Sequence, residues 1–271
     1  MTRNATLLTR RLLALWPKCS GASILSLRAE AMWRRLAEES RAASGVWVVV
    51  AAHAAMPDND RSSWSTEDCE RAARCTAPER QRAFAAGRLM LHRLLSRDTA
   101  MPLHFNAHGK PMQPGAAHFN VSHTLGHTVL AICATGPVGV DIECTQRLEE
   151  PLSLVDLVAH PNEALLLRQA SVANLPALFL RCWTRKEALL KAWGCGLTVP
   201  LQSVDTRLDE PAPHIDARGG WQLLDASLPQ LNLALAIPSS VASVTLSIVQ
   251  VLDQADSVAS SWCFDRHGPG V

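Results

Sequence analysis

The stretch HFNVSHTLGHTVLAICATGPVGVDIE, residues 118–143, decides how the chain is organised. Two strand-like runs, 118–124 and 127–134, flank Leu125-Gly126, a dipeptide suited to a tight connection between antiparallel strands. Gly136-Pro137 then breaks the pattern. VGVDIE at 138–143 reads as the next strand. The break near residue 135 divides the chain into two parts.

Upstream, VWVVVAA at 46–52 is a β-branched run with the continuous apolar character of a strand buried on both faces. A polar loop follows at 57–65, then a helical pattern from Ala77 to Arg97, with Pro78 in its first turn and Phe84, Leu91 and Leu95 on one face. FNAHGKPMQPG at 105–115 reads as loop. Residues 1–44 have apolar residues at helical spacing, with Arg28, Arg34, Arg35 and Arg41 facing out. Downstream, helical patterns cover 151–171 and 175–194, the second closed by Gly194 and Gly196. WQLLDA, LNLALAI and VTLSIVQV are further strands. The expected fold is α+β: a helical extension at 1–44, an N-terminal half at 45–135 and a C-terminal half of similar make-up at 136–271.

Bulk properties narrow the function. Of 271 residues, 48% are hydrophobic and 19% charged, which describes a globular protein. A net charge of +1 lacks the basic excess of a nucleic-acid binder. Eight cysteines show no zinc-ligand spacing, so reduced thiols in a cytoplasmic protein are expected. The longest apolar stretch, Val46 to Met56, is too short to cross a bilayer. The run Leu12 to Trp16 is too short for a signal-peptide core.

Three groups of residues carry possible chemistry. On a strand, Asp141 and Glu143 project from the same face with Ile142 opposite. Two such close carboxylates repel unless a cation or proton lies between them, and magnesium suits the role; a solvated edge strand is the other reading. In WTRKEALLKAWG at 183–194, Glu187 and Lys191 are four apart and adjacent on a helix, either as site residues or as a surface ion pair. Arg88, Lys110, Ser122 and His123 form a basic and polar set, for which helix surface, loop surface and strand end are the ordinary readings. The run His118, His123, His127 does not have a familiar zinc spacing.

Taken in order, AAGRLMLHRLL, HGKP, FNVSHT, VGVDIE and CWTRKEALLKAWGCGL resemble the motif series of the phosphopantetheinyl transferase superfamily, in its Sfp-type branch. The resemblance covers about residues 77 to 200, and its specific part is GVDIE followed some forty residues later by W-T-x-K-E-A-x-x-K. It implies two α/β halves related by a pseudo-twofold axis, with coenzyme A as co-substrate in the cleft between them. It implies that Asp141, Glu143 and Glu187 hold magnesium on the pyrophosphate, and that Glu187 and Lys191 are catalytic. Arg88, Lys110, Ser122, His123 and Lys191 would face the coenzyme A phosphates. The implied reaction moves 4'-phosphopantetheine onto a serine of an acyl or peptidyl carrier protein and releases adenosine 3',5'-bisphosphate. The enzyme would be a cytoplasmic monomer with no nucleic-acid or membrane partner. Such chemistry needs no enzyme nucleophile, which agrees with the lack of a G-x-S-x-G elbow or a P-loop. His92 stands where the family commonly has arginine, and Glu163 aligns loosely with a recurrent acidic residue. The alternatives are a non-catalytic binder of coenzyme A or carrier with the same fold, and an unrelated magnesium-dependent hydrolase.

Overall fold

The computed structural model describes residues 19–26, 38, 45–53, 64–95, 103–113, 115, 117–147, 150–228, 230–241, 243–252 and 256–265. Its strands are β1 (Cys19–Ser26), β2 (Val46–Ala52), β3 (His104–Phe105), β4 (Pro111–Met112), β5 (His118–Thr124), β6 (His127–Cys133), β7 (Gly139–Cys144), β8 (His214–Ile215), β9 (Trp221–Leu228), β10 (Leu231–Pro238), β11 (Ser243–Leu252) and β12 (Asp256–Asp265). Its helices are α1 (Thr66–Ala73), α2 (Pro78–Leu94), α3 (Pro151–Val158), α4 (Pro161–Gln169) and α5 (Leu175–Trp193).

The strands form a large sheet of order β1-β12-β11-β2-β6-β5, a smaller one of order β7-β10-β9-β8, and the β3-β4 ribbon. β2 explains the layering. Val46, Val48 and Val50 join a core that also holds Val140 and Ile142 of β7 and Leu231, Leu233 and Leu235 of β10, so this core lies between the two sheets. The alternate residues Trp47, Val49 and Ala51 pack with Leu89, Met90 and Leu94 of α2. Side chains alternate across a strand, so one continuous apolar run serves two cores. The smaller sheet repeats this on its far side, where Ala234 and Ala236 of β10 pack with Ala188, Leu189 and Ala192 of α5. The order of layers is helix, sheet, sheet, helix.

Three expectations are corrected. β11 and β12 lie in the large sheet with β2, β6 and β5, and β11 runs parallel to β2. The C-terminal strands are therefore exchanged into the first sheet, and a boundary at residue 135 does not separate two self-contained sheets. Within 1–44, Cys19–Ser26 is a strand paired with Asp256–Asp265, because backbone pairing along an open sheet edge overrides a weak helical pattern. Arg28, Arg34, Arg35 and Arg41 lie outside the described residues. The helical pattern at 151–171 is two helices, because Pro161 disfavours helical geometry at the residue before it. There His160 becomes an N-cap, accepting from Asn162 N while its own N–H donates to Glu163. Among the described residues, no helix is long and apolar enough to cross a membrane.

Candidate active site

β7 is the edge strand of the smaller sheet, paired only with β10. Val140, Ile142 and Cys144 point into the core between the sheets, which leaves Gly139, Asp141 and Glu143 on the opposite face, the one covered by α5. The helix comes very close at Gly139: a Cβ there would stand 1.9 Å from the Ala188 carbonyl oxygen and 2.4 Å from Ala192 N. Only glycine permits this approach, and it brings the fourth turn of α5 over the carboxylates.

Lys191 meets Asp141 there. Its Nζ donates to Asp141 Oδ1 at 2.6 Å and to Ser122 Oγ at 2.9 Å. Ser122 Oγ in turn donates to the same Asp141 oxygen at 2.8 Å. Asp141 is 3% exposed, and its second oxygen, Oδ2, is buried with no hydrogen-bond partner. A buried carboxylate oxygen without a donor is costly, and a cation bound there would offset that cost. Glu143 Oε2 accepts from Thr124 Oγ1 at 3.2 Å. Glu187, half-buried one turn before Lys191, has its proton affinity raised by burial; Lys191 opposes the rise and the Asp141 charge adds to it.

The rest of β5 completes this corner. Asn120, Ser122 and Thr124 share one face and reach across to the open edge of β7. Val140 N donates to Asn120 Oδ1 at 2.8 Å, and Cys144 N donates to Thr124 Oγ1 at 3.1 Å. Side chains of one sheet thus satisfy backbone N–H groups of the other, which joins the two sheets without a shared ladder.

α5 is fixed in register by buried charge on its other faces. Lys186 and Glu163 are both 0% exposed and paired at 2.6 Å. Glu163 also accepts from Thr206 N at 2.8 Å and Thr206 Oγ1 at 2.6 Å, and Lys186 Nζ donates to the carbonyls of Leu201 and Val204. Arg185 binds Asp225 and the carbonyls of Thr206, Arg207, Glu210 and Pro211. Glu163 is therefore a structural hub. Its neighbours in sequence gave no sign of this, because its partners come from 186 and 206.

The structure brings Asp141, Ser122 and Lys191 into one network, with Glu187 coupled to it electrostatically and Glu143 beside it. Two of the residues expected to face phosphate also make contacts within the chain. Lys110 Nζ donates to Val138 O at 3.1 Å and Ala192 O at 3.2 Å, tying the start of β7 to the end of α5, and burial lowers its pKa to about 8. Asn106 supports the same junction through the Gly194 carbonyl, at 2.7 Å. Arg88 is paired with Asp68 of α1 at 2.7 Å and lies against the Phe84 ring. His123 is exposed next to Ser122. Asn120 and Thr124 were missed by sequence reasoning, although their alternation with Ser122 along a strand was the available signal.

Among the described residues, no three acidic, histidine or cysteine side chains stand together as a ready metal cage. The Lys191–Asp141 bond accounts for part of this, since the ammonium occupies one carboxylate oxygen. The donor set still fits magnesium, which takes one or two carboxylates and completes its shell with water and substrate phosphate. Asp141 Oδ2 is the oxygen left for it.

Fold and site define a mixed α and β protein with an acidic, ammonium-bridged centre. Residues 137–236 match the model of the 4'-phosphopantetheinyl transferase superfamily. The chain is similar to the 4'-phosphopantetheinyl transferase HetI of Nostoc sp., 29% identical over 64% of this chain and 77% of that protein. It is 34% identical to the 4'-phosphopantetheinyl transferase gsp of Aneurinibacillus migulanus, over 36% of this chain and 40% of that protein. It is 32% identical to the 4'-phosphopantetheinyl transferase Sfp of Bacillus subtilis (strain 168), over 45% of this chain and 52% of that protein. The matches to the last two span about half of their length or less. Over residues 137–236 the chain is thus similar to the 4'-phosphopantetheinyl transferase superfamily.

Proposed function

We propose that this protein transfers 4'-phosphopantetheine from coenzyme A to a serine of an acyl or peptidyl carrier protein. The observation that carries the reading is the Lys191–Asp141–Ser122 network with an unpartnered carboxylate oxygen, of which Asp141 and Lys191 lie within the family match. Asp141, Glu143 and Glu187 would hold magnesium. The bound ion supplies positive charge to the pyrophosphate oxygens.

The carrier serine oxygen attacks the phosphorus on the pantetheine side. The P–O bond to the adenosine half breaks, and adenosine 3',5'-bisphosphate leaves. Glu187, whose burial makes it a stronger base than an ordinary carboxylate, takes the serine proton. Lys191 has three donors, of which Ser122 and Asp141 use two, and the third serves a phosphate oxygen of the leaving group. His123, at the exposed end of the same strand, reaches the ribose phosphate. Arg88 and Lys110 add positive charge towards the coenzyme A phosphates, and their contacts within the chain hold α2 and the β3–β4 ribbon against the site. The two halves are related by a pseudo-twofold axis with the site in their cleft, and the layer order of helix, sheet, sheet, helix supports this.

The protein acts as a monomer of the Sfp-type branch. Cys69, Cys75, Cys133, Cys144, Cys182 and Cys195 are free, which suits the reducing cytoplasm. The reaction is tested by following adenosine 3',5'-bisphosphate from coenzyme A and magnesium, with and without apo carrier. Release only with carrier supports transfer. Release without carrier would identify a hydrolase, and no release a binding protein.

A further inference from the structure

Thr124 has no part in the expected substrate contacts. It is 2% exposed, at the end of β5, and its hydroxyl sits between two groups of β7. Cys144 N donates to Thr124 Oγ1 at 3.1 Å, and Thr124 Oγ1 donates to Glu143 Oε2 at 3.2 Å. A backbone N–H can only donate, so the hydroxyl accepts from it and its single proton is directed to the carboxylate. Ser122 is arranged in the same way two residues earlier. The ammonium of Lys191 can only donate, and the Ser122 proton is thereby turned to Asp141 Oδ1. Each of the adjacent carboxylates on β7 is therefore held by a β5 hydroxyl whose proton direction is set from behind. Threonine is stiff at χ1 in a strand, so the hydroxyl is fixed as well as directed.

We infer that Thr124 is a positioning residue that orients the Glu143 carboxylate for the divalent cation. The inference rests on the reading of Glu143 as a cation ligand. Groups that hold a ligating carboxylate change metal affinity about 10–100-fold when removed. The test uses the full chain and manganese alone, without coenzyme A or carrier, reading free Mn²⁺ by electron paramagnetic resonance. Thr124→Val keeps the shape and removes the hydroxyl, and is expected to weaken Mn²⁺ binding about 10–100-fold. Thr124→Ser, which keeps the hydroxyl, restores binding to within a few-fold of the parent. In a Glu143→Gln background, Thr124→Val has no further effect, because the residue acts only through Glu143. If valine leaves Cys144 N–H unpaired and the chain unfolded, Thr124→Ala, which admits water to that N–H, takes its place. Parent-like affinity in Thr124→Val, or an equal loss in both backgrounds, overturns the proposal. Parent-like affinity in Glu143→Gln alone overturns instead the assignment of Glu143 on which it stands.

Discussion

Lys191 Nζ lies 2.6 Å from Asp141 Oδ1, although the two residues are 50 apart in the chain. The ammonium occupies an oxygen that a cation would otherwise use. Lys191→Met is therefore expected to bind Mn²⁺ more tightly than the parent in the absence of coenzyme A, while carrier modification falls about 10²-fold or more through loss of charge at the leaving phosphate. Weaker Mn²⁺ binding in this variant would mean that Lys191 orients Asp141 for the ion, not that it competes with the ion.

Glu187→Gln removes a charge that burial already disfavours and changes little volume. Transfer should fall about 10²-fold or more, with thermal stability equal to or above that of the parent. Transfer at the parent rate would remove Glu187 from the chemistry.

Gly139→Ala places a methyl group 1.9 Å from the Ala188 carbonyl oxygen. α5 must move off β7, which costs roughly 1–3 kcal/mol and separates Lys191 from Asp141. Denaturant unfolding and Mn²⁺ titration should show both losses. Stability close to the parent's would mean that the close approach of helix and strand is not as described.

Glu163→Gln leaves Lys186 buried without its counter-charge. Breaking a buried pair in this way costs about 3–5 kcal/mol, so a marked shift in the unfolding midpoint is expected. The folded fraction should retain transfer, since neither residue touches the site. Loss of activity in fully folded protein would give Glu163 a role in the reaction.

His53 accepts or donates at Thr128 Oγ1, 2.9 Å away, and its pKa is lowered to about 4. Burial is the main cause; His127, His123 and Arg82 add to it and Glu79 opposes it. The folded pKa lies below the usual 6.5, so between these values the unfolded chain binds a proton that the folded one does not. Stability is thus present above pH 6.5 and declines as pH falls towards 4. His53→Gln should flatten this decline in denaturation curves taken across that range, and an unchanged slope would exclude His53 as its source.

Much of this was legible in the sequence. VWVVVAA at 46–52 is β2 residue for residue, because a strand buried on both faces leaves a continuous β-branched run. Gly194 closes α5 with a φ of 68°, as expected of a glycine after a helical pattern. Asp141, Glu143, Glu187 and Lys191 were marked by alternation on a strand and by four-residue spacing on a helix. Long-range pairing was not legible. No local pattern shows that Val244 to Val249 line up beside Val46 to Ala51, or that Glu163 faces Lys186. For Lys110 and Arg88 the sequence reports charge, but not the contacts with two carbonyls and with Asp68 that they make within the chain.

The most direct measurement is the intact mass of an apo carrier protein incubated with this enzyme, coenzyme A and magnesium. A gain of one phosphopantetheine on the carrier is expected, abolished by EDTA and by replacing the carrier's acceptor serine with alanine. An unchanged carrier mass across fatty-acid, polyketide and peptide-synthetase carriers, from protein that binds coenzyme A, would contradict it.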